Sequence, residues 1–201
     1  MGIKEINKYA RLYRKALKKQ KDADAAAKTE KYKKRLADMV SSEIYRRHNV
    51  FPSMNVDLIY AVVAMCLELK EHGLSDREIM DFSDVVFKAR RQMFAALEKL
   101  VDLLPNSYGI AKKWNISDHD KRVRDGSLTF DSFEVKDGKI EYRISKCMYA
   151  ELFDYYGIRS LCRIFCKTDE DAYANLTRHV SFIRHSVLAD GNCCHDEIIR
   201  K

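Results

Sequence analysis

The sequence has little glycine and proline and no apolar run long enough to cross a membrane. Seven glycines and 2 prolines in 201 residues are too few for the many turns of an all-β sandwich, so much of the chain is expected to be helical. The longest apolar run, Leu58 to Leu69, is shorter than the ~20 residues that a membrane helix needs. Residues Met1 to Asn7 do not form the start of a signal peptide. We therefore expect a folded cytoplasmic protein of one or two domains.

The positive charge is concentrated at one end of the chain. The formal net charge of the chain is +7. Residues 1–50 alone have a larger positive net charge, and the rest of the chain is slightly acidic. A nucleic-acid-binding arm would need aromatic residues or a groove-reading motif beside the lysines, and neither is present. We interpret residues 1–50 as a basic helical extension, with one or two amphipathic helices between Ile3 and Tyr45, and do not expect nucleic acid or a membrane as a partner.

Two further helices are predicted within residues 54–104. The run from Val56 to Glu71 is apolar on nearly all sides and stops just before Gly73, so it predicts a buried helix with a glycine at its end. Ser75 and Glu78 have the spacing of a capping box, which begins a second helix that ends before Pro105. The apolar positions of this second helix are Ile79, Val86, Met93, Leu97, Leu100 and Leu104.

Residues 127–201 predict an antiparallel sheet of four strands in two hairpins, with short helices between them. In the first hairpin, Asp137-Gly138 as a two-residue turn pairs Val135 with Ile140 and Phe133 with Tyr142. The predicted fold class is therefore α+β: N-terminal helices followed by this sheet, with residues 51–201 as one domain.

The second hairpin is predicted around Asp190-Gly191. With these two residues as the turn, His185 lies opposite Asp196 and Arg184 lies opposite Glu197, whereas a longer loop would shift this register.

The short helices between the hairpins are predicted from their ends. One runs from Cys147 to Tyr156 and ends at Gly157, and the other begins at the segment 168–171. In that position the Asp169 carboxylate would cap the helix.

The six cysteines are expected to be reduced thiols, because the chain is long and carries no export signal. They are Cys66, Cys147, Cys162, Cys166, Cys193 and Cys194. Cys162 and Cys166 would share one helix face, which suits a metal ion or simply an apolar stripe. Four of the thiols, those of Cys147, Cys162, Cys166 and Cys194, could together bind zinc, but their spacing matches no zinc ribbon, and we expect no metal or cofactor.

The predicted second hairpin also offers a nucleophile, a base and an orienting carboxylate. Cys194, His185 and Asp196 would project from one face, in an order that suits thiol activation by imidazole. The alternative is that His185 and Asp196 are only a satisfied polar pair. Arg184 lies in an otherwise apolar strand, so its guanidinium should bind either Glu197 or the carboxylate of a ligand.

A series of short motifs in the last third of the chain resembles the L-2-amino-thiazoline-4-carboxylic acid hydrolase family. The motifs are Lys146-Cys147, Cys166-Lys-Thr-Asp169, Arg184 four residues before Leu188, and Gly191-Asn-Cys-Cys194. The likeness covers about Lys139 to Lys201 and continues more loosely back to Val50. The family pattern usually has a Thr-rich strand after the arginine, and an acidic residue then Phe after the last cysteine. His185 and Asp196 stand there instead.

The resemblance implies a hydrolase that opens a cyclic amidine-like ring through its C–N or C–S bond. Its substrate would be a small 2-amino-thiazoline carboxylic acid, and its product a carbamoyl-cysteine, within cysteine metabolism. For the chemistry of such a substrate, we expect Cys147 or Cys194 as nucleophile, Asp169 or His185 as acid and base, and Arg184 with Cys166 for substrate binding. Asp196 is included as the orienting carboxylate of the predicted second hairpin. A cysteine-rich ligand-binding or metal-binding module without turnover is the alternative, and association of identical chains is left open.

Overall fold

The computed structural model describes the backbone of residues 1–201 and all side chains except those of residues 88–91, 93 and 94. The chain divides into two compact units, Met1–Lys88 and Ala89–Lys201. This division differs from the boundary at residue 50 that the change in charge predicts. The reason is that the basic helices pack on the apolar helix that follows them and form one unit with it.

The first unit is helical and has an aromatic core. Its elements are α1 (Ile3–Lys19), α2 (Ala25–Ser41), α3 (Glu43–His48), α4 (Val56–Glu71) and the beginning of α5 (Asp76–Asp102). The rings of Tyr13 in α1 and Tyr32 in α2 stack with centroids 4.7 Å apart, and the Tyr32 hydroxyl donates a hydrogen bond to the Ala61 carbonyl. Arg35 of α2 binds Glu68 of α4 at 2.5 Å. The basic helices α1 and α2 thus pack into this unit.

The helix predictions for residues 54–104 are confirmed. Helix α4 is buried along most of its length and is followed by Gly73 at a φ of 80°. Helix α5 begins with the predicted capping box, in which Ser75 N–H donates to the Glu78 carboxylate at 2.8 Å. Ile79 is buried, Leu97, Leu100 and Leu104 are exposed, and Met93 lies outside the described side chains. In the part of the chain that the structure describes, no helix combines the length and the apolar character that crossing a bilayer requires.

The second unit combines helices with one antiparallel sheet, which confirms the α+β class. After α5 come α6 (Ser107–Asp125), β1 (Leu128–Lys136), β2 (Lys139–Cys147), α7 (Met148–Tyr155), a 3₁₀ turn (Arg159–Cys162), α8 (Arg163–Tyr173), β3 (Val180–Ser186) and β4 (Cys194–Arg200). The sheet order is β1-β2-β4-β3. The register of the first hairpin is as predicted, with Val135 opposite Ile140 and Phe133 opposite Tyr142.

The predicted register of the second hairpin is wrong by one residue. Arg184 pairs with Asp196 and Ile183 pairs with Glu197, and a bulge at His185 follows. The connection is longer than two residues because β3 ends at Ser186 and β4 begins only at Cys194. A shift of one residue moves every side chain of a strand to the other face of the sheet. Arg184 therefore lies on the face of the sheet that was predicted for His185, and His185 lies on the face that was predicted for Arg184.

Helices α6 and α8 differ from the sequence prediction. The sequence pattern predicts no helix at α6, although the pair Asp118 and Arg122, four residues apart, and Gly126 after the last turn are helix signals. Helix α8 begins at Arg163, directly after the 3₁₀ turn, so Asp169 lies inside the helix and not at its start. The capping role predicted for Asp169 is wrong, and its side chain is available for other contacts.

Candidate active site

One face of the sheet and two helices of the second unit enclose a cavity of about 480 Å³. The sheet contributes side chains from all four strands, and α6 and α8 form the opposite wall. All lining residues belong to the unit Ala89–Lys201. A concave site of this size, with apolar rings and a few convergent polar groups, is typical of small-molecule binding.

Four of the six cysteines line this cavity: Cys147, Cys162, Cys166 and Cys194. Each comes from a different position in the fold, since Cys147 ends β2, Cys162 ends the 3₁₀ turn, Cys166 lies in α8 and Cys194 begins β4. The sequence groups these four thiols as candidates, and the structure brings them to one site. Cys66 is buried in α4, and Cys193 is not among the residues that line the cavity.

The four thiols differ in acidity. Burial raises the pKa of the Cys147 thiol to about 12 and that of the Cys194 thiol to about 11. In contrast, the pKa of Cys166 is lowered, because the Cys162 thiol donates a hydrogen bond to its sulfur and the Arg184 guanidinium is near. The thiolate is the nucleophilic form of cysteine. Among these cavity thiols, Cys166 is the one whose surroundings favour the thiolate.

Arg184 is the centre of an ionic network at the floor of the cavity. Its Nε and Nη2 donate to the two carboxylate oxygens of Asp196 at 2.8 and 2.9 Å. Its Nη1 donates to the Cys166 carbonyl at 2.6 Å, and Nη2 also reaches Asp169 at 3.1 Å. Arg184 and Asp196 are 12% and 3% exposed, so this is a buried pair with bidentate geometry. The predicted pairing of Arg184 with Glu197 is wrong, because the register places Asp196 opposite Arg184.

Asp169 faces the interior of the cavity from α8. Its side chain is 56% exposed and lines the cavity, where the walls partly desolvate the carboxyl group. This burial raises the pKa of Asp169, and the positive charge of Arg184 opposes the effect. A carboxyl group whose pKa lies above its ordinary range can accept and release protons closer to neutral pH than an exposed aspartate.

Helix α6 supplies cavity residues that the sequence interpretation missed. The imidazole of His119 stacks on Phe133 with ring centroids 3.9 Å apart and meets Phe130 edge-on at 4.6 Å. Arg122 Nε donates to Asp118 at 2.8 Å, and the Arg122 guanidinium also bonds the Tyr149 hydroxyl. The cavity therefore has a flat aromatic wall beside a second arginine.

His185 lies outside the cavity, on the opposite face of the sheet. Its ring stacks on His195 with centroids 4.4 Å apart, and its Nε2 is 3.3 Å from Glu197. The predicted combination of Cys194, His185 and Asp196 is therefore not assembled, because the one-residue shift in register places His185 on the other face of the sheet. Among the described residues, the potential metal ligands that cluster within 4.8 Å of one another are His185, His195 and Glu197, and none of the cavity cysteines belongs to this group.

Comparison with known proteins identifies the family of the chain. The family model described as L-2-amino-thiazoline-4-carboxylic acid hydrolase matches residues 58–196, which include α8 and most of the sheet. No curated protein and no solved structure matches the chain. The match covers more than half of the sequence and contains the four cavity cysteines, Asp169, Arg184 and Asp196. The chain belongs to the L-2-amino-thiazoline-4-carboxylic acid hydrolase family.

Proposed function

We propose that this protein hydrolyses the ring of L-2-amino-thiazoline-4-carboxylate and that Cys166 is the nucleophile. The observation that carries the proposal is the lowered pKa of Cys166 in a cavity that also contains the proton-transfer candidate Asp169. Cys147 and Cys194, which the sequence favours, have thiol pKa values of about 12 and 11 and are poor nucleophiles at neutral pH. They are assigned instead to the wall of the cavity.

The charges of the cavity suit a substrate that is positive at one end and negative at the other. The amidine-like group of the ring is cationic when protonated, and the Asp118 carboxylate lines the cavity and can bind it. The substrate carboxylate requires a cation. Four groups already accept hydrogen bonds from Arg184: Asp196, Asp169, Glu170 and the Cys166 carbonyl. We assign the substrate carboxylate to Arg122, which lies beside the aromatic wall and would bind it in addition to Asp118 and Tyr149.

The first step forms a covalent intermediate. The Cys166 thiolate adds to the carbon between nitrogen and sulfur of the ring, whose amidine group is protonated, and the ring C–S bond then breaks with its electron pair leaving on sulfur. The departing sulfur takes a proton from the Asp169 carboxyl group and becomes a thiol. Cleavage of the C–S bond is favoured over cleavage of the C–N bond, because a thiolate is a better leaving group than an amide-like nitrogen. The product of this step is an isothiouronium adduct on Cys166.

The second step regenerates the enzyme. Water adds to the same carbon and loses one proton to the Asp169 carboxylate. The bond from carbon to Cys166 sulfur then breaks, the thiolate leaves with its electron pair, and a second proton passes to solvent. The product is N-carbamoyl-cysteine, which carries a free thiol. One water is consumed, and Cys166 and Asp169 return to their initial states.

Arg184 and Asp196 act as positioning residues in this scheme. The guanidinium binds the carbonyl of Cys166 and the carboxylate of Asp169, so it fixes the nucleophile and the proton carrier relative to each other. Asp196, on β4, accepts two hydrogen bonds from the guanidinium and so fixes its orientation. This arrangement explains why a nearly buried ion pair lies beside the reactive thiol.

The proposal is tested by conversion of L-2-amino-thiazoline-4-carboxylate at high enzyme concentration, with new thiol measured colorimetrically in the protein-free filtrate. We expect thiol release by the wild-type protein and by Cys193→Ser, a matched control outside the cavity lining. Cys166→Ser and Asp169→Asn should each lose at least about 100-fold in rate. Tight binding of this substrate without any thiol or carbamoyl product would instead assign a binding module without turnover.

A further inference from the structure

The face of the sheet opposite the cavity carries a cluster of imidazoles and carboxylates. His185 of β3 and His195 and Glu197 of β4 each offer a ligand atom, and these three atoms lie within 4.8 Å of one another. Glu141 of β2 belongs to the same surface, because its Oε1 is 2.9 Å from His195 Nε2. The proposed hydrolysis uses none of these side chains.

The strand register brings the cluster together. Glu141 and Glu197 are directly opposite each other on β2 and β4. The bulge in β3 sets both His185 and Ser186 against His195, and the two imidazoles stack as a result. Two carboxylates on facing positions repel each other unless a cation lies between them. In the structure this cation is the ammonium of Lys139, at 2.8 Å from Glu141 and 3.1 Å from Glu197.

We propose that His185, His195 and Glu197 form a binding site for a divalent transition metal ion of the zinc class. Imidazole nitrogen with one carboxylate is a ligand set that zinc prefers, whereas magnesium and calcium prefer oxygen ligands alone. Ligands bound tetrahedrally at the usual zinc distances lie about 3.3 Å apart. The separation of His185 Nε2 and Glu197 Oε1 is 3.3 Å. His185 is 42% exposed, so the ion can enter from solvent.

The side chains of Glu141 and Lys139, which adjoin the three proposed ligands, are compatible with a bound metal ion. Glu141 accepts a hydrogen bond from His195 and fixes the orientation of that ring, as second-sphere carboxylates do at metal sites. An entering ion displaces the ammonium of Lys139 from the two carboxylates. Because the site joins β3 to β4, the bound ion fastens the strand that carries Arg184 to the strand that carries Asp196. Its effect is therefore structural, and it is expected even in the absence of substrate.

The experiment uses the full-length protein, freed of metal by a chelator and titrated with Co²⁺, then with Zn²⁺ in competition. We expect one Co²⁺ per chain, with visible d–d absorption but without the near-ultraviolet charge-transfer band that thiolate ligands produce. Zn²⁺ should displace Co²⁺ and raise the melting temperature. His195→Ala and the near-isosteric Glu197→Gln should each weaken binding at least about tenfold.

Two further variants make the result specific. Lys139→Met removes the competing ammonium, so it should bind the ion several-fold more tightly than the wild type. His179→Ala removes an imidazole outside the cluster and should bind as the wild type does. The proposal is overturned by a thiolate charge-transfer band that disappears in Cys166→Ser but persists in His195→Ala, which would locate the ion in the cavity. Absence of saturable binding also overturns it, provided that Trp114 fluorescence shows a folded protein.

Discussion

Removal of the Asp196 carboxylate is predicted to destabilise the second unit, because it leaves the Arg184 guanidinium without its bidentate partner. Asp196 is 3% exposed and accepts two charge-assisted hydrogen bonds from Arg184. Breaking a buried ion pair by removing one partner typically costs about 3–5 kcal/mol. Arg184 keeps its bonds to the Cys166 carbonyl and Asp169, so we expect the lower end of that range, about 3 kcal/mol, for Asp196→Ala.

The assay is urea denaturation followed by the fluorescence of Trp114, the single tryptophan, which lies in the second unit and lines the cavity. A loss of about 3 kcal/mol should lower the urea midpoint by about 1–3 M. The comparison variant is Asp169→Asn, which should not show the loss expected for Asp196→Ala, because the Asp169 side chain is far more exposed and its raised pKa means that its ionised form does not stabilise the fold at neutral pH. In the double variant Arg184→Met with Asp196→Leu, part of the lost stability should return, since no unpaired charge remains.

A loss below about 1 kcal/mol for Asp196→Ala would refute this reasoning. It would mean that the pair behaves as an exposed ion pair and that Arg184 finds sufficient partners elsewhere. An equal loss for Asp169→Asn would contradict the distinction between a buried anchor and a carboxylate that faces the cavity.

Three further predictions concern the reactivity of the cavity. Substoichiometric iodoacetamide at neutral pH should label Cys166 faster than Cys147, measured by peptide mapping in a Cys193→Ser background, and faster labelling of Cys147 would contradict the assigned acidities. Arg122→Gln should raise KM at least about tenfold with a smaller change in kcat, whereas an unchanged KM would remove Arg122 as the carboxylate anchor. Because the folded-state pKa of Asp169 is raised, wild-type stability should fall relative to Asp169→Asn as pH rises above about 4, and a constant difference would be inconsistent with that shift.

The two hairpins show how far a sequence determines register. The Asp137-Gly138 turn is short and local, and its predicted pairing of Phe133 with Tyr142 is confirmed. The Asp190-Gly191 segment has the same signal, but distant contacts decide its conformation. Arg163 binds the Asp190 carboxylate, and Arg159 donates to the carbonyl of Gly191. These tertiary contacts stabilise a longer loop, which a local pattern does not contain.

The residues of the candidate site that belong to the family motifs could be predicted from the sequence, whereas the residues placed there by tertiary packing could not. The resemblance to the family selects Cys147, Cys166, Asp169, Arg184 and Cys194, and all five line the cavity. Their individual roles depend on burial and charge, which spacing does not reveal.

Helix α6 shows the second limit of the sequence. Its apolar pattern is weak, and its cavity-lining members, such as His119 and Arg122, lie among polar residues. Their location becomes apparent only when the helix is packed against the sheet.

The central claim is that Cys166 forms a covalent bond with the substrate carbon. The most direct measurement is rapid-quench single turnover of L-2-amino-thiazoline-4-carboxylate, followed by intact mass and peptide mapping of the protein. We predict a transient adduct on Cys166 with the mass of one added substrate molecule, a decay that matches the release of N-carbamoyl-cysteine, and no adduct in Cys166→Ser. Product formation by Cys166→Ser at the wild-type rate would contradict the claim.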